Sequence, residues 1–118
     1  MIWLKIAAAF GFAGVLLGAF GAHGLRQRLS TEMMNAYQTG VLYHLIHALA
    51  LFALALYGRA SGAVIGLPAA LLTAGIVLFS GSLYVMALTG MNRLGIVTPI
   101  GGLCFLAGWA VLAFVWKA

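Results

Sequence analysis

The chain has 118 residues, 65% of them hydrophobic and only 6% charged, with a formal net charge of +5. A soluble domain carries about 25% charged residues, so this composition excludes a globule whose surface faces water. The basic residues are too sparse for a nucleic-acid patch. There is no aspartate, which excludes a Ser-His-Asp triad and a magnesium site on paired carboxylates.

The charged side chains are Lys5, Arg26, Arg28, Glu32, Arg59, Arg93 and Lys117. They leave intervals near the roughly 20 apolar residues that cross a bilayer core of about 30 Å. Backbone groups in lipid must be satisfied internally, and no ten-residue alternation of a membrane barrel is visible. The pattern predicts an all-α integral membrane four-helix bundle with up-and-down threading. One domain, 1–118, is expected, with spans near 3–23, 36–57, 64–88 and 99–116.

The first span opens like a signal peptide, with Lys5 before an apolar run, but the run is longer than a usual signal core. It is rich in small residues, Gly14, Gly18, Gly21 and Ala22, and His23 closes it. Small residues at such spacing let helix backbones approach closely in lipid. In the longest connection, Ser30 is placed to cap a helix with Glu32 in its first turn. Met33, Met34 and Tyr37 then supply an apolar face. The stretch reads as a short interfacial helix, or as an early start to the second span.

The second span holds Tyr43, His44 and His47. The two histidines are about 60° apart around a helix and share a face. At that depth polar groups face the bundle interior and find partners. Both rings are expected to be neutral, with His47 deeper and the more important for stability. After the turn "YGRASG", the third span carries Ser80, Gly81, Ser82 and Tyr84, residue types that bond helices together. After "TGMNRLGIVT", which includes Arg93, Thr98 is placed as an N-cap with Pro99 at the first helical position. A proline kink inside a longer helix is the alternative. The fourth span adds Gly101, Gly102 and Gly108 as packing residues, like Gly81 in the third. The only cysteine, Cys104, can form no intrachain disulfide and reads as a small buried hydrophobe.

Up-and-down threading gathers His23, Tyr43, His44, His47, Ser80, Ser82, Tyr84, Arg93 and Thr98 at one end of the bundle. Three readings of this polar cluster stay open. It joins helices by hydrogen bonds; or His44 and His47, with His23, ligate a metal or haem; or the histidines line a transport path. No catalytic residue, metal site or cofactor is assigned. The partners expected are membrane lipid and further copies of the chain, and not nucleic acid. Lys and Arg tie at three on each side, so charge alone gives no orientation, and dual orientation stays open.

Four stretches carry a resemblance: "GAFGAHGL" at 18–25, "YHLIHALAL" at 43–51, "LFSGSLYVMAL" at 78–88 and "TPIGGLCFLAGW" at 98–109. Together they resemble the YgdD/YwdK family of small bacterial inner-membrane proteins, domain of unknown function 423, to which eukaryotic transmembrane protein 256 is similar. The resemblance covers nearly the whole chain. It implies four spans and no established activity. The matching positions are His23, Tyr43, His47, Ser80, Gly81, Ser82, Tyr84, Thr98, Pro99, Gly101, Gly102, Gly108 and Trp109. Some members carry glutamine where this chain has His44, which favours a hydrogen-bonding role over metal ligation. Relatives place basic residues after the last span, which implies cytoplasmic termini.

Overall fold

The structure, a computed structural model, describes residues 2–115. Four helices are each long and apolar enough to cross a membrane: α1, Ile2–Leu25; α2, Thr31–Ser61; α3, Gly66–Thr89; and α4, Asn92–Phe114. No strand occurs among the described residues. The expected end of the fourth span at Trp116 lies outside them.

The helix ends explain how the observed spans differ from the expected ones. Ser30 accepts a hydrogen bond from the Met33 amide (3.1 Å), and Glu32 occupies the first turn. From this cap α2 runs unbroken for 31 residues. Residues 31–42 are therefore its first turns and not a separate interfacial helix. The reason is a continuous buried stripe, in which Met34, Tyr37, Gly40, His44, Ala48 and Leu51 follow at helical spacing. The helix stops at Gly62, where φ is 75° and the amide bonds back to the Gly58 carbonyl (2.9 Å). Only glycine takes that left-handed conformation without strain.

Gly90 ends α3 in the same way, with φ of 74° and a 2.8 Å bond to the Met86 carbonyl. After Met91 the chain re-enters a helix at once, as a tight 3-10 turn over Asn92–Ile96 that becomes α-helical at Val97. Thr98 is thus inside α4 and does not cap it. Pro99 falls in the first α-helical turn after the 3-10 segment, inside a longer helix. A wide π-type turn, Ile76–Ser80, interrupts α3, and the Gly81 amide there bonds the Ile76 carbonyl five residues back.

Packing divides the bundle into two halves. Near the termini the core is apolar, with Ala7, Leu51, Leu54, Ala55, Ile65, Ala69, Leu72, Ile76 and Phe105 in one buried cluster. Near the long connection, Leu25, Met34, Tyr37, Tyr84 and Ala87 form a second cluster that contains two hydroxyls. The polar chemistry of the molecule is gathered around this second half. Helices α2 and α3 supply most of the buried residues, while α1 and α4 turn most of their surface outwards.

Candidate functional site

His44 and His47 are each 4% exposed. Their 60° separation sends them to different neighbours. The His44 Nε2 lies 2.8 Å from the Phe10 carbonyl of α1, and its Nδ1 lies 2.8 Å from the Tyr84 hydroxyl of α3. A carbonyl can only accept, so Nε2 carries the proton, and in a neutral ring Nδ1 is then the acceptor for the Tyr84 hydroxyl. His44 therefore links three helices. The His47 Nδ1 donates to the Tyr43 carbonyl one turn back in α2 (2.8 Å). Its Nε2 receives the Trp109 indole N–H of α4 (3.0 Å). Indole is a donor only, so this nitrogen is bare and the ring is neutral. The His47 ring also lies flat against Phe105, with centroids 3.6 Å apart and planes inclined by 13°. Within the bundle the two rings are equally buried, and His47 sits one helical turn further from the loop end of α2 than His44.

Further hydrogen bonds join the same helices. Ser80 donates to the Gly40 carbonyl (2.7 Å), linking α3 to α2. Ser82 and Thr98 share a 2.6 Å bond between α3 and α4, and Ser82 also donates to the Phe79 carbonyl (2.9 Å). Tyr37 donates to the Leu17 carbonyl of α1 (2.5 Å) and rests against Tyr84, ring centroids 5.3 Å apart. In hydrocarbon these bonds relieve the large penalty of an unpaired polar group.

Of the nine polar residues expected to cluster, the structure brings His44, Tyr84, Ser80, Ser82, Thr98 and His47 into contacts between helices. Tyr43 is half-exposed and contributes its carbonyl to His47 and its ring to Phe79, centroids 4.8 Å apart. His23 and Arg93 are not part of the cluster; both are exposed. His23 points away because Gly21, two residues earlier, is the face of that turn that packs on Tyr37. Both nitrogens of His44 and of His47 are engaged, and no group of three metal-ligating side chains comes together among the described residues.

The small residues divide similarly. Gly14 packs on Leu45 and His44, Gly18 on Val41, and Gly21 on Tyr37. Gly108 faces Leu72, Gly102 has Phe79 at 3.8 Å from where a Cβ would sit, and Gly101 lies against the Leu78–Phe79 backbone. Ala22 and Gly81 do not serve the packing expected of them: Ala22 is exposed, and a Cβ on Gly81 would meet open space. Cys104 is half-buried with a free thiol.

Sequence reasoning placed Tyr37 on an apolar face and Trp109 among the family's matching positions but gave neither a partner, and it passed over Gly40 and Gly75. Gly40 accommodates Tyr84, and Gly75 accommodates Phe105. The spacing of Tyr37 and His44, two turns apart on one stripe, was a usable signal. The Phe10 carbonyl had none, since every residue offers one. Thr73 Oγ1 is buried without a partner, one turn before the wide turn of α3.

The fold and site define a four-span helical membrane protein, several of whose interior polar side chains bond from one helix to another. Residues 17–102 match the family described as "Protein of unknown function (DUF423)", and the chain belongs to it. Similar proteins include the UPF0382 membrane protein YwdK of Bacillus subtilis, 39% identical over 113 residues, or 94% of this chain and 92% of that protein. The UPF0382 inner membrane protein YgdD of Escherichia coli is 44% identical over 110 residues, 92% of this chain and 84% of that protein. A UPF0382 membrane protein of Haemophilus influenzae is 40% identical over 112 residues, covering 95% and 90%. No solved structure matches the chain.

Proposed function

We propose that this protein is a non-enzymatic component of the bacterial inner membrane, with both termini cytoplasmic. It acts as a packed unit, associating with copies of itself, and moves no solute. The observation that carries this reading is the complete engagement of both buried imidazoles. A proton path needs a group that can release one partner and take another. Here the Nε2 of His44 and the Nδ1 of His47 face carbonyls, and Trp109 donates to the remaining nitrogen of His47. The inner-membrane assignment is supported by the name of the Escherichia coli relative.

Liposomes containing the purified protein and a trapped pH dye test the reading. After a pH step, the gradient should decay at the rate of empty liposomes. Faster decay that returns to the empty-liposome rate in His47→Ala would establish a proton path and overturn it. Orientation has its own test. In a Cys104→Ala background, Ala60→Cys places a thiol on the exposed last turn of α2. It should resist an impermeant thiol reagent added to intact cells. Full labelling would invert the topology, and labelling of about half the molecules would establish dual orientation.

A further inference from the structure

We propose that the groove between α1 and α2 at their loop end holds an acyl chain of an anionic phospholipid, whose headgroup is met by Arg26. The groove encloses about 280 Å³. Its α1 wall is low because it is made of Gly18, Gly21 and Ala22, and its α2 wall is Val41, Leu42 and Leu45. The floor is closed, since Gly21 seats on the Tyr37 ring and Gly18 on Val41. What is left is a narrow apolar trough, open to the side and suited to a flexible chain.

Positive charge follows the groove's α1 wall in the chain. Arg26 caps α1 one turn beyond Ala22, and Arg28 follows; both are exposed. Glu32 is the only acidic residue of the chain, and no carboxylate pairs with either arginine among the described residues. Gln38 lines the groove with an exposed amide. Helix α2 is about 46 Å long, against a hydrocarbon core of about 30 Å. If it is centred, about 8 Å projects on each side, which puts Gln38 close to the level of the lipid esters. Arg26 then stands at headgroup height. An anionic phosphodiester suits this charge, whereas the ammonium of a zwitterionic lipid would face the arginines.

Native mass spectrometry of the full chain, released from detergent with added lipid, tests the site. The wild type should retain phosphatidylglycerol about fivefold more than phosphatidylethanolamine of the same chain length, the preference that one arginine near an anionic group confers. Arg26→Gln should bring the two lipids level. Ala22→Phe, an exposed change that fills the trough, should lower retention of both. Inorganic phosphate should neither bind nor displace the lipid. Equal retention of the two lipids by the wild type, unchanged retention in either variant, or displacement by phosphate would overturn the proposal.

Discussion

Gly101→Ala should destabilise the protein by about 3 kcal/mol, the upper end of typical overpacking. A single methyl has this effect because of what it meets. At most glycines of the bundle an added Cβ touches a side chain, which can rotate. At Gly101 it runs into the backbone of Leu78 and Phe79 in α3. Backbone can yield only by separating the two helices, which would also pull Thr98 away from Ser82. The wide turn at Ile76–Ser80 spans this same point of approach. Gly81→Ala is the control, because open space surrounds its added Cβ. Alanine is the better helix former by about 1 kcal/mol, so that variant should be neutral or slightly stabilised. Equilibrium unfolding of both variants in detergent checks the pair, and equal stabilities would contradict the packing described for α3 and α4.

His44→Ala should cost about 3 kcal/mol, more than His47→Ala. Interhelical hydrogen bonds in membranes average only about 0.6 kcal/mol, so the bonds alone do not account for the figure. The larger part is the void left by a fully packed ring, together with a Tyr84 hydroxyl that loses its acceptor, at about 1–3 kcal/mol for a buried group. His47→Ala also leaves a void against Phe105, but the donor it strands is the Trp109 N–H, on a residue that is 44% exposed and can reorient, so the unpaired-group penalty is what separates the two. Tyr84→Phe should cost about 1 kcal/mol, as a hydrogen bond removed without a void. His44→Gln should be milder than the alanine change, because an amide both donates and accepts. Combining His44→Ala with Tyr84→Phe should cost less than the sum, since each removes the same bond. Strict additivity in that cycle would mean that the two residues do not interact.

The number and order of the spans were legible because so few charges interrupt the apolar runs. The ends were less so. Ser30 was readable as a cap, yet whether its helix continued into the second span depended on the burial of Tyr37 beneath Gly21, a contact between helices that are sequence neighbours but not local ones. The histidines were legible as buried and partnered. Their partners were not, because a 60° difference on a helix surrounded by three others is enough to select different neighbours. The glycines show the same limit. Gly81 and Gly101 both sit in quoted motifs, and residue type alone does not say that one faces open space and the other a backbone.

Both buried imidazoles are neutral with both ring nitrogens engaged, His44 between α1 and α3 and His47 by one bond to α4 and one within α2. Nitrogen NMR of histidine-labelled protein in lipid bilayers tests this most directly. At neutral pH two immobile neutral rings are expected, one protonated at Nε2 for His44 and the other at Nδ1 for His47, with the Trp109 N–H coupled to the bare His47 nitrogen. An imidazolium signal from either ring, or exchange between tautomers through water, would contradict it.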